Sequence, residues 1–159
     1  MPLDLKNLLS FFKNDEDIIK LKKQNILQQL NIFELKNMSK HLIERKFKAG
    51  EIIYKENYPH VVLYMIKAGQ VQIYLEKPDN DYIFAVLNEH EHFGEIGLFN
   101  DSNRITSAKA ITDCVLYAIS KYDFIRFMSK YPGTGIKILF KLAEGISSDV
   151  VKYIKNDHQ

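Results

Sequence analysis

At Lys46 the apolar residues of this 159-residue chain stop recurring at helical spacing and begin to alternate. The alternation runs to Ile119 and is interrupted at short intervals by Ala49-Gly50, Lys67-Ala68-Gly69-Gln70, Pro78-Asp79-Asn80-Asp81 and Thr112-Asp113. A period of two sends successive side chains to opposite faces of a strand. Turns this closely spaced leave no room for the long crossovers that parallel strands require. The middle of the chain is therefore expected to form an antiparallel sandwich or barrel. FKAGEIIYKENYP reads as two short strands turning at Ala49-Gly50. VVLYMIKAGQVQIYLEKP reads as a hairpin turning at Lys67 to Gln70, and Tyr82 to Leu87 as a further strand.

Helical spacing flanks this block on both sides. Leu3, Leu5, Leu8, Leu9, Phe11 and Phe12 predict one apolar helical segment, and Asp15 to Leu30 another, with Ile18, Ile19, Leu21, Ile26, Leu27 and Leu30. Asn31 is suited to cap the next helix, and Glu34 three residues on completes a capping box. That helix is expected from Ile32 to about Arg45, burying Ile32, Leu35, Met38, Leu42 and Ile43. After the strands, Ser120 caps a helix from Lys121 to Lys130, and Tyr131-Pro132-Gly133 ends it. A long helix then starts at Thr134 and carries apolar residues from Ile136 to Ile154 over a wider face than one packing contact needs. Its expected roles are a dimer seam, a lid, or both. The fold class is mainly β with flanking helices (α+β), with residues 1–30 as a helical extension and 31–159 as the domain proper.

Composition excludes several function classes. A net charge of +2 is too small to argue for nucleic acid or an acidic membrane. The one cysteine, Cys114, lies in the apolar run CVLYAI, so it is expected to be a buried, inert thiol and cannot form an internal disulfide. No run approaches the ~18 apolar residues of a membrane span, and no basic segment followed by an apolar core marks a signal peptide. A cytoplasmic chain, complete from Met1 to the polar ending NDHQ, is the expectation. No serine sits in a G-x-S-x-G turn, and nothing else supports nucleophilic catalysis.

The chemistry concentrates in Phe93 to Ala110, FGEIGLFNDSNRITSAKA. Gly94 and Gly97 lack a Cβ, which allows close approach of backbone amides to a bound group. The amides at the start of a short helical turn carry partial positive charge and favour an anion. Arg104 adds a planar charged fork suited to a phosphate diester, and Glu95 is an acceptor whose partner beside a phosphate is a sugar hydroxyl.

Phe93-Gly94-Glu95-Ile96-Gly97-Leu98, followed by Arg104 nine residues after Glu95 and then by small residues, resembles the phosphate-binding cassette of the cyclic nucleotide-binding domain family. That family includes the sensor domains of catabolite activator-like regulators and of protein kinase A regulatory subunits. The resemblance runs from about Asn31 to the C-terminus and implies an antiparallel β-roll, a jelly roll of the double-stranded β-helix type. Gly50 and Gly69 match turn glycines of the family, while Asn57 stands where it usually has another glycine. The resemblance implies that Arg104 pairs with the phosphate oxygens, that Glu95 accepts the ribose 2′-hydroxyl, and that the Gly94 and Glu95 amides line the sugar and phosphate. Ile105 replaces the small or hydroxylated residue that usually follows the arginine. It offers no hydroxyl to a guanine amino group, so cAMP rather than cGMP is the expected ligand, and its bulk is set beside the phosphate pocket. Thr106 and Ser107 are candidates to supply a hydroxyl, and strand alternation lets only one of them face inward. Tyr153, on the long helix, aligns with the family's base-capping position. The expected protein is a non-enzymatic sensor with no metal, passing its signal through the C-terminal helix to a homodimer partner or an effector protein.

Three other readings follow from the residues. His90-Glu91-His92 followed by Glu95 has the H-x-H pattern of a cupin-like metal site. Catabolite activator-like regulators carry a DNA-reading helix-turn-helix after the sensor, and this chain stops at Gln159, just after the long helix. An interaction module keeping the fold without nucleotide is the third.

Overall fold

A computed structural model describes residues 15–59 and 61–157. The expected helix at residues 3–12, and His60 and His158, lie outside the described residues. Helix α1, Asp15–Lys22, is followed by a 3-10 turn at Asn25–Leu27, so the expected continuous helix to Leu30 is broken. Tertiary hydrogen bonds account for the break. The Asn25 amide donates to the His90 carbonyl at 2.9 Å, and buried Gln24 donates from Nε2 to the Ile66 carbonyl at 3.2 Å.

Helix α2, Ile32–Ser39, starts where its capping box dictates. The Asn31 side chain accepts from the Glu34 amide and the Glu34 side chain accepts from the Asn31 amide, both at 2.9 Å. It ends earlier than helical spacing predicts, because Ile43–Phe47 forms strand β1 against the central strand of its sheet. Leu35, Met38 and Leu42 are buried as expected, whereas Ile32 and Ile43 are 63% and 61% exposed.

The remaining strands are β2 Ile52–Tyr54, β3 Val62–Ala68, β4 Val71–Leu75, β5 Tyr82–Leu87, β6 His92–Phe93, β7 Ser107–Ala110 and β8 Cys114–Ser120. They form two antiparallel four-stranded sheets, ordered β1-β8-β3-β6 and β2-β7-β4-β5. Strands β3 and β4 therefore belong to different sheets, and the expected hairpin at Lys67 to Gln70 is instead a corner between them. Gly69, at φ +93°, turns that corner, where a Cβ would collide with the Asp113 carbonyl. The true hairpin joins β4 to β5 through Pro78 to Asp81.

Alternation in β3 and β8 serves two cores. Tyr64, Ile66, Leu116 and Ala118 face the space between the sheets, while Leu63, Met65, Tyr117 and Ile119 pack under the helices. Strands buried on both faces read as unbroken apolar runs, as these do. Cys114 is buried between the sheets, and burial pushes its thiol pKa up. Ile18, Leu21, Ile26, Leu27 and Leu30 share the helical core with Phe124, Phe127, Ile138 and Leu142.

Helix α4, Lys121–Lys130, is capped by Ser120, whose Oγ accepts from the Asp123 amide at 3.0 Å. (The single turn Ile96–Phe99, described below, is α3.) Helix α5, Pro132–Asn156, begins two residues before the expected Thr134, with proline in the position where its missing N–H costs nothing. Its first part is anchored: Thr134, Gly135, Ile138 and Leu142 are buried, and Glu34 receives Lys137 Nζ at 2.8 and 3.0 Å. From Ser147 onward the described residues of α5 are all exposed.

Candidate ligand site

The site is built on the connection from β6 into α3. Phe93 is buried and stacks on Tyr64 with centroids 5.2 Å apart, fixing where β6 ends. Gly94 then adopts φ +86°, a conformation L side chains rarely take. A Cβ there would lie 2.7 Å from both Arg104 Nη1 and the Val62 carbonyl. The glycine thus lets the guanidinium pass directly behind the chain. Glu95 leads into α3, Gly97 is buried, and Leu98 packs against the helical core, while Ile96 is partly exposed.

Arg104 is held at both backbone ends by the turn before β3. Its amide donates to the Tyr58 carbonyl at 2.7 Å, and its carbonyl accepts from the Asn57 amide at 2.8 Å. Asn57 is at φ +68°, the left-handed conformation that asparagine tolerates in place of glycine. The Arg104 side chain is buried, with the residue 3% exposed. Its Cζ sits 3.8 Å over the Tyr54 ring, and Nη2 donates to the Val62 carbonyl at 2.9 Å. Nε and Nη1 are buried and have no hydrogen-bond partner among the described residues. Burial pushes the guanidinium pKa below its ordinary value, while Tyr54, Tyr64 and Glu95 act in the opposite direction. Thr106 hydrogen-bonds the Tyr54 side chain, and buried Ser107 accepts the Glu56 amide at 2.9 Å. Ile105 is 56% exposed, on the opposite side of the chain from its buried neighbour.

Glu95 opens instead onto a cleft of about 750 Å³ between β5 and the outer part of α5. Tyr82, Phe84 and Val86 form the strand wall, and Gly145, Asp149, Lys152 and Tyr153 the helix wall. His92 lies at the floor, with Nε2 4.0 Å from Glu95 Oε1. The cleft therefore brings together Glu95 and Tyr153 among the sequence-predicted residues. Phe93, Gly94, Ile96, Gly97, Leu98, Arg104, Ile105 and Thr106 are not on its wall. Arg104 lies against Gly94, the residue before the cleft-lining Glu95, and Glu95 acts electrostatically on its guanidinium.

Sequence reasoning missed Tyr54, the two aromatics of β5, and His92 in this setting. The sequence signal at Tyr82 and Phe84 was two aromatics two residues apart, on one face of an expected strand, and none pointed from Tyr54 to Arg104. The H-x-H pattern does not form a shared ligand face. His90 is a left-handed residue (φ +77°) outside β6 and lines a different surface recess from His92. Among the described residues no group of three or more His, Cys, Asp or Glu is arranged to hold a metal ion.

Comparison with known proteins identifies the family of this fold. The model of the family described as "Cyclic nucleotide-binding domain" matches residues 44–131, more than half of the chain. The chain belongs to the cyclic nucleotide-binding domain family. It is 28% identical over 113 residues to a cAMP-dependent protein kinase regulatory subunit of Colletotrichum orbiculare, covering 71% of this chain and 28% of that protein. It is 28% identical over 124 residues to a CRP-like cAMP-activated global transcriptional regulator of Mycobacterium tuberculosis, covering 77% and 55%. The chain thus spans between about a quarter and just over half of these relatives. The fold matches that of the Thermus thermophilus catabolite activator protein with a TM-score of 0.72 at 20% identity, over 84% of this chain and 63% of that one.

Proposed function

We propose that this chain is a non-enzymatic sensor that binds a purine 3′,5′-cyclic mononucleotide, cAMP in preference to cGMP. The observation that carries the reading is Arg104: a guanidinium in a residue 3% exposed, with Nε and Nη1 unpaired. Leaving a buried charged donor unsatisfied costs more than an ordinary missing hydrogen bond, and an anion relieves that cost. Each unpaired nitrogen is a charged donor, and a phosphate oxygen is the acceptor that forms the strongest bond with it. Glu95 beside the same backbone supplies the acceptor for the ribose hydroxyl. Tyr82, Phe84 and Tyr153 in the cleft supply flat apolar surface for the base. Ile105 has no hydroxyl for a guanine amino group, which favours adenine.

Phosphate capture at Arg104 takes place beside Gly94, directly before Glu95 and α3. A shift of α3 on binding carries Glu95 with it, and Glu95 lines the cleft against α5. A ligand that binds one α5 position better than another makes that displacement a switch. Ile136, Phe140, Ala143, Ser147, Val150 and Ile154 are exposed at alternating spacings of four and three, the repeat of a two-stranded coiled-coil seam. A homodimer through α5 is the proposed output state, with an effector protein as the next recipient, in the cytoplasm. A second reading, a protein-interaction module without nucleotide, draws on one observation: the Tyr54 face and the Val62 carbonyl already engage Arg104.

Calorimetric titration with cAMP and cGMP separates the two. One cAMP site per chain, weaker for cGMP, is expected; binding of neither nucleotide would leave the interaction module.

A further inference from the structure

His92 is not explained by the fold alone. Its side chain is 17% exposed and that of Glu95 16%, and Nε2 is the ring atom directed at the Glu95 carboxylate, 4.0 Å from Oε1. The same ring edge faces α5: Cε1 and Nε2 both lie 3.9 Å from where a Cβ on Gly145 would stand. Gly145 is in the interior of a 25-residue helix, where glycine is unfavourable by roughly 1 kcal/mol relative to alanine. The imidazole therefore sits between the carboxylate and the helix, at the point where α5 leaves the body of the protein. At 4.0 Å the pair is in electrostatic contact but is longer than a hydrogen bond. A small rotation of Glu95 closes it, and the carboxylate then keeps its second oxygen for another donor.

We infer that His92 is a positioning residue for Glu95: Nε2–H holds Oε1, so that Oε2 is presented to the ribose 2′-hydroxyl. This rests on the cyclic-nucleotide reading of the cleft and goes beyond it, by tying sugar recognition to a side chain packed against α5. Glu95 loses its aim when the donor is removed, and the discrimination between a nucleotide with the hydroxyl and one without it falls.

The experiment compares affinities for cAMP and 2′-deoxy-cAMP by calorimetry in the full chain. Wild type is expected to prefer cAMP by on the order of tenfold, the worth of one hydrogen bond to a charged group. His92→Phe keeps a ring against Gly145 but has no donor, and it is expected to bring the ratio to within about twofold of one. His92→Gln, whose amide nitrogen reaches the same place as Nε2, is expected to keep most of the wild-type ratio. His92→Leu serves the first purpose if phenylalanine does not fold. A full ratio in the donorless variants, or equal loss in Phe and Gln, overturns the positioning role and leaves nucleotide binding intact. Failure of wild type to bind either nucleotide overturns both the role and the reading beneath it.

Discussion

Arg104 and Glu95 are expected to meet the same ligand, yet the fold places them in opposite surroundings. Arg104 is enclosed by Tyr54, the Val62 carbonyl and Gly94, with two of its nitrogens unpaired. Glu95 stands on the floor of an open cleft whose far wall is the exposed part of α5. In the proposed reading the enclosed group supplies strength, because an interaction in a dry setting is weakly screened. In the same proposed reading the open one supplies selection among ligands that all carry a phosphate. Gly94 stands against the guanidinium, and Glu95 follows it directly in the chain.

Substitutions on the enclosed side are expected to have the larger effects. Arg104→Ala removes the charged fork and is expected to weaken cAMP by ~100-fold or more, the worth of two charge-assisted contacts, as measured by calorimetry. Gly94→Ala places a methyl 2.7 Å from Arg104 Nη1 and the Val62 carbonyl, on a backbone at φ +86°. Its expected result is a loss of stability on the order of 1–3 kcal/mol in denaturant unfolding, together with weakened binding. Loss of binding without loss of stability would show that Gly94 and the Arg104 guanidinium are less tightly joined than the contacts imply.

On the open side the effects are smaller. Glu95→Gln keeps the shape and removes the charge, and it is expected to weaken cAMP by about tenfold while changing 2′-deoxy-cAMP little. Tyr153 is 65% exposed on the cleft wall, so Tyr153→Ala is expected to cost only about 1 kcal/mol of binding, a few-fold in Kd. An effect as large as that of Arg104→Ala would reverse the ranking of the two sides.

Much of this was legible in the residues because it is set by local chemistry. Asn31 and Ser120 cap where they were expected to, the left-handed turns fall at Gly50, Gly69 and Asn57, and the cassette turns at Gly94. What local chemistry does not encode is which strand pairs with which. Gly69 specifies a reversal equally well for a hairpin and for a corner between sheets. Ile43 has the spacing to extend α2, and pairing with Ala118 on β8 decides otherwise. The site divides in the same way. Glu95 and Arg104 are candidates because one contiguous segment resembles the family's cassette, whereas the Tyr54 face, the β5 wall and the His92 contact depend on elements distant in sequence.

The central claim is that Arg104 is kept buried and partly unpaired for an anion rather than for stability. Thermal unfolding of wild type and Arg104→Met, each with and without saturating cAMP, tests it directly. The variant exchanges an incompletely satisfied charge for an apolar side chain of similar length. It is expected to match the wild type in stability without ligand to within about 1 kcal/mol. Ligand is expected to raise the wild-type Tm and leave that of the variant where it is. A variant that unfolds well below wild type yet still gains stability from cAMP would contradict the account, making Arg104 a structural residue and placing the phosphate elsewhere.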